Sequence, residues 1–311
     1  MAAISIGEAI GEGFGLIGRR PLLVLIWGAA NTAWGALITA LMMPSMRGML
    51  EAQKSILNSG GVAATPSSAE VMARLAPLMQ FEGVLLLIGL VSAFVTVVLN
   101  CAVFRSVLRP EEKAFAYLRL GSAELMLFFF FLGAYFVLAI GFVVALVPVF
   151  ILVAIAGAAH AGLAAGLIAF LAVVALLVLL VWIMLRLSLV GPMTVQDGRF
   201  HFLDAWRLTR GHAGALFAVG LCLLVIAIVV GILSFVVTMA VGGAAAFGAF
   251  QSALRGAPAS PASLMPVIGV GLVVRYLIAI PLSGGLLAII GAPWARAFRD
   301  LAQPDVAATF S

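Results

Sequence analysis

Six stretches of this chain run apolar for about twenty residues or more, and nothing else in the sequence narrows its fold as far. They lie at approximately 21–43, 83–104, 125–156, 162–185, 214–247 and 266–293. A helix rises 1.5 Å per residue, so ~20 apolar residues cross a hydrocarbon core of about 30 Å. The composition agrees: 65% of the 311 residues are hydrophobic, 9% are charged, and the mean hydropathy is +1.26. Soluble domains carry roughly 45–50% apolar and about 25% charged residues. A chain this short of charge cannot cover itself against water. The predicted fold is an all-α polytopic membrane bundle of six spans, one membrane domain over residues 1–311.

The net charge of +5 would suggest nucleic acid in a soluble protein. Here the bases fall between apolar runs, so topology explains them and no nucleic-acid partner is expected. Arg19, Arg20, Arg105, Arg109, Lys113, Arg119, Arg186, Arg199, Arg207, Arg210, Arg296 and Arg299 fall on one side of the six spans. Arg47, Lys54, Arg74 and Arg255 fall on the other. Twelve against four puts both termini in the cytoplasm, which an even number of spans also requires. No cleavable leader is expected, because Glu8 and Glu12 precede an apolar run that continues to Pro44.

The outer face holds one long segment, 45–80. Met46–Ser59 suits an amphipathic helix broken at Gly60 and Gly61, and Ser67 and Glu70 have capping-box spacing ahead of a second. The turn around His160 is short, and the segment with Pro258, Ser260, Pro261 and Ser263 reads as irregular. On the inner face, spans one, three and five are each preceded by an aromatic with basic neighbours: Phe14 with Arg19 and Arg20, Tyr117 with Arg119, and Trp206 with Arg207 and Arg210. That combination suits helices lying in the headgroup layer and contacting lipid. The implied order is interface helix, span, span, repeated three times over about 100 residues each.

Few residues invite chemistry. Gly13, Gly15 and Gly18 match GxGxxG, but a dinucleotide site needs a strand before it and a βα unit after it, and a span follows instead. Close helix approach is the expected use. Gly162 and Gly166 form a GxxxG with the same meaning. Arg275 is the one charge within an apolar run; its 21-residue separation from Arg296, about 31 Å of helix, puts it near the outer interface. Asn31 and Asn100 are the other intramembrane polar candidates, suited to hydrogen bonds between helices. Glu82 and Glu124 stand at opposite membrane faces and cannot form a carboxylate pair. Cys101 and Cys222 read as packing residues. His160, His201 and His212 lack metal-ligand spacing, and no nucleophile, phosphate-loop or zincin motif occurs, so neither a catalytic centre nor a cofactor is expected.

Three short stretches carry a family likeness: Ala205-Trp206-Arg207-Leu208-Thr209-Arg210-Gly211-His212, Phe115-Ala116-Tyr117-Leu118-Arg119-Leu120-Gly121, and Trp294-Ala295-Arg296-Ala297-Phe298-Arg299-Asp300-Leu301. The chain resembles a broad bacterial family of six-span membrane proteins that includes the membrane domain fused to some glycerophosphodiester phosphodiesterases, and stand-alone relatives. It departs from the fused members in having neither the hydrolase domain nor its metal-binding acids, so no phosphodiesterase activity carries over. The resemblance implies the fold and an envelope or lipid-related role, and the expected location is the bacterial inner membrane. Three function classes follow: handling of lipids or other amphiphiles, a permease for a small apolar or amphiphilic solute, and an assembly partner of another membrane complex. Expected partners are membrane lipids and a membrane protein or second copy.

Overall fold

A computed structural model describes residues 4–58, 82–112, 114–158, 162–254 and 261–302. Among them the regular structure is helical, without strands, and six helices are long and apolar enough to cross a membrane. The helices are α1 (Ile6–Arg19), α2 (Pro21–Asn58), α3 (Glu82–Leu108), α4 (Ser122–Ala158), α5 (Gly162–Leu187), α6 (Val190–Asp197), α7 (Phe202–Leu208), α8 (Ala213–Leu254) and α9 (Pro261–Ala302). The protein is an all-α polytopic membrane protein.

Local sequence sets several helix ends. Ser5 caps α1, its Oγ accepting from the Glu8 N–H at 3.4 Å, and Glu8 and Arg19 sit at the ends that suit their charges. Arg20 leaves the helical region with φ −141° because Pro21 follows, and that proline then opens α2 at a position where its missing N–H costs nothing. Buried Ala9, Gly13 and Leu16 recur at helical spacing along α1 while Phe14 stays exposed.

Three expectations change. Residues 46–58 continue α2 without a break, so there is no separate helix there; 38 helical residues reach about 57 Å, well past a hydrocarbon core. Pro261 and Ser263 belong to α9, proline serving again as the first helical residue. The segment ahead of α4 is not an interface helix. Ala114–Tyr117 is a tight turn in which Phe115, Ala116 and Tyr117 have φ of 50°, 55° and 64°. The helix–span–span order therefore holds for α1–α2–α3 and for α7–α8–α9 but not for the middle third. Residues 59–81, His160 and Pro258 lie outside the described residues.

The chain divides into two compact units rather than one. The first comprises residues 1–24, 97–236 and 285–311, the second residues 25–96 and 237–284. In the first, Ile4, Leu189, Leu216, Ala297, Phe298 and Leu301 form one buried cluster, and Ala9, Val219, Leu223 and Ile289 another. Ile4 thus lies with the end of α9, and Glu8 pairs with Arg296 at 2.7 Å. Small residues bring backbones together. A Cβ on Gly13 would stand 2.7 Å from the Ile289 Cα, and one on Gly291 would stand 2.8 Å from Val103 Cγ1. The GxGxxG of α1 therefore has a packing use at Gly13. Helices α4 and α5 pack on each other, yet side chains such as Phe136, Ile140, Phe150, Leu163 and Phe170 are exposed along them. Such a surface belongs in lipid.

In the second unit, Gly28 of α2 lies directly on α9: a Cβ there would overlap the Ile280 carbonyl oxygen. Ser283 Oγ donates within reach of the Gly28 and Ile280 carbonyls, at 3.2 and 3.3 Å, and shares a hydrogen bond with Thr32 Oγ1 at 3.2 Å. Trp34 Nε1 donates to Ser92 Oγ at 3.1 Å, joining α2 to α3. Polar side chains away from water find partners across helices in this way.

Candidate functional site

The first unit collects the basic ends of the helices, and its most buried charge is an ion pair. Arg105 in the last turn of α3 meets Glu124 in the first turn of α4, with side-chain exposures of 8% and 0%. Glu124 also reaches back to accept from the Gly121 N–H at 3.0 Å, capping α4. Arg105 Nη1 donates to the Tyr117 carbonyl at 3.3 Å. Tyr117 is buried at 2% exposure; its hydroxyl donates to the Pro110 carbonyl at 3.0 Å and accepts from Arg20 Nη1, whose guanidinium lies 5.8 Å from the ring centroid. Three consecutive non-glycine residues in the left-handed region cost roughly 1–2 kcal/mol each. Burial of the Tyr117 ring and its hydrogen bonds offset that cost. Tyr117 is thus a core residue that shapes the turn and not a headgroup contact. Arg119, exposed, pairs with Glu112 at 3.0 Å, and Arg109 pairs with the same carboxylate at 2.9 Å and donates to the Gln196 carbonyl.

A second cluster fastens α7 to α5. The Arg186 guanidinium lies 5.4 Å from the Trp182 centroid and 5.7 Å from that of Trp206, while the two indoles meet edge to face at 5.3 Å. Arg186 Nη1 donates to Thr209 Oγ1 at 3.3 Å, and that hydroxyl donates to the Trp206 carbonyl at 3.0 Å. Trp206 and Leu208 are half-buried, whereas Arg207 and Arg210 are exposed. Beside α7 opens a cavity of about 590 Å³ lined by Gln196, Asp197, Asp204, Arg207, Met193 and Phe298 among others. Its two aspartates flank His201, at 3.4 Å from Nε2 and 3.0 Å from Nδ1.

A second, smaller cavity of about 190 Å³ lies where α1 passes into α2, lined by Glu12, Leu16, Arg19, Arg20, Ser106 and Arg299 among others. Arg19 is mostly exposed and pairs with Glu12 at 2.5 Å. Phe14 lies on the exposed face of α1. The intramembrane candidates lie elsewhere: Arg275 is exposed on α9, Asn31 is half-buried on α2, and Asn100 is half-buried on α3 near Gly291. Asn31 and Arg275 belong to the second unit and Asn100 to the first. Among the described residues no three His, Cys, Asp or Glu side chains gather as a metal site.

The sequence reading counted Arg105 and Arg186 among the bases of one face and placed Glu124 at a span entrance, but it joined none of them to the partners found here. A signal existed for Arg105 and Glu124: one ends a span and the other begins the next, so both stand at the same membrane face. Arg186 gave no such sign, because its rings come from residues 182 and 206, and only the packing of α7 on α5 joins them. No protein-family model, curated protein or solved structure matches the chain, so the site stands on its own residues.

Proposed function

We propose that this protein works in the bacterial inner membrane with both termini in the cytoplasm, where the basic, aromatic end of its helices handles lipids or other amphiphiles. The observation that carries the reading is the construction of α7. Its apolar side is held against α5 by Trp206 and Arg186, leaving Arg207 and Arg210 exposed. An indole at the edge of the apolar zone with arginines beside it is suited to the headgroup layer, where each arginine near an anionic surface contributes about 1 kcal/mol. The open cavity at Arg207 has a charged wall and an apolar floor, the two properties an amphiphile presents. The family resemblance favours the same role.

The test is the lipid that copurifies with the protein. Arg207→Gln combined with Arg210→Gln should lower anionic lipid per protein, by mass spectrometry in one detergent, with the six spans still inserted. Equal anionic lipid in both proteins rejects the role. A second reading, an assembly partner, draws on the α4–α5 pair. A Cβ on Gly162 or Gly166 would meet nothing within 4 Å, leaving a small-residue face open to another helix.

A further inference from the structure

We infer that the small cavity at the α1–α2 junction binds a phosphate-class anion, supplied by the headgroup of an acidic phospholipid or by a soluble phosphate. Three guanidinium groups line it, from Arg19, Arg20 and Arg299, against one carboxylate, Glu12. That carboxylate is already taken by Arg19. The next acid along α9, Asp300, is taken by Arg296 at 2.8 Å. Arg20 donates to a neutral phenol, and the hydroxyl of Tyr117 holds its guanidinium in place without cancelling its charge. Arg299 is half-buried and pairs with no acid among the described residues.

Two cations therefore share about 190 Å³ without a counter-charge among the described residues. Removing a guanidinium from water without an anion is unfavourable, and a bound anion reverses that. Guanidinium forks match the oxygens of a phosphate two at a time, so neighbouring arginines can take several of its oxygens. The floor, Leu16 and Val107 with the buried hydroxyl of Ser106, excludes bulk water on one side. The volume admits a phosphate and a short polyol but not acyl chains. A lipid would leave its tails outside, along α2, whose first residue Pro21 directly follows Arg20. The lipid source rests on the membrane role proposed above; the soluble source does not.

The experiment uses the full chain in a neutral detergent and two probes. Inorganic phosphate is titrated against chloride at constant ionic strength, reading the thermal midpoint. Phosphatidylglycerol and phosphatidylcholine are exchanged in separately, reading bound lipid by native mass spectrometry. Arg299→Gln should weaken binding of the effective probe about tenfold, the scale of one lost charged hydrogen-bonding partner. Arg299→Lys should restore part of it, and Arg199→Gln, outside the cavity, should change nothing. Should Arg299→Gln not fold, Arg19→Gln replaces it, because loss of that mostly exposed cation frees the Glu12 charge to repel the anion. A response to inorganic phosphate identifies a soluble ligand, and a response to phosphatidylglycerol alone identifies a headgroup. Wild type and the cavity variant responding alike to both probes overturns the inference, as does an equal loss in Arg199→Gln. Loss of lipid in the Arg207/Arg210 double variant alongside an unchanged Arg299→Gln would remove this site and leave the membrane role standing.

Discussion

Glu124 is fully buried, and its carboxylate is partnered by Arg105 and by the Gly121 amide. Removing one partner of such a pair exposes the other to an apolar environment and typically costs about 3–5 kcal/mol, whereas replacing both by apolar side chains is often neutral. Glu124→Ala should accordingly unfold well below the wild type in a thermal melt. The double variant Arg105→Met with Glu124→Leu should recover most of the loss. Equal midpoints for Glu124→Ala and wild type would show that the pair does not hold the turn. Arg275 is the opposite case: exposed, and without an ion pair among the described residues. A charge that reaches the interface costs far less than the ~2.5–3.5 kcal/mol of the bilayer centre. Arg275→Gln should therefore insert and melt like the wild type; a large functional loss with normal insertion would assign it a binding role instead.

At the level of the helices, glycine separates two environments. On α2, Gly28 lies directly against α9, and any Cβ there strikes backbone that cannot swing aside. On α5, a Cβ at Gly166 meets nothing. Alanine is the better helix former by up to about 1 kcal/mol, so the two substitutions should have opposite signs. Gly166→Ala should hold or raise the thermal midpoint. Gly28→Ala should lower it, since overpacking typically costs about 1–3 kcal/mol. If Gly166→Ala instead dissociates a purified oligomer, the open face of α5 is an interface between copies. Helix length matters too: the 37 residues of α4 span about 55 Å, and a hydrocarbon core of about 30 Å can hold them only through tilt or a bend, for which Pro148 is placed.

For the molecule as a whole, six candidate spans among the described residues and the contact of Ile4 with the end of α9 both support the proposal that the chain ends on the side where it began. In the topology proposed above, the twelve-to-four division of bases puts that side in the cytoplasm. A reporter fused after Ser311 should be active in the cytoplasm, and cysteines introduced at 50–65 should react with an impermeant reagent from outside. Labelling of 50–65 from the cytoplasmic side alone inverts the topology.

Hydrophobic length determined the spans from the sequence alone, because a segment in lipid must satisfy its own backbone and only a long apolar helix does so. Pro21, where the first apolar stretch begins, opens α2 for an equally local reason. The turn at Phe115–Tyr117 looked like a third interface helix because an aromatic beside arginine has the same composition either way. The left-handed backbone there is held by Arg20 and Arg105, 97 and 12 residues from Tyr117 in sequence. The ledger of charges at Arg299 was equally hidden: whether an arginine has a counter-ion depends on which acids other helices bring to it. Periodicity and length act within one helix, and the tertiary structure decided what lies between helices, where a neighbour hundreds of residues away sets the burial and partner of each side chain.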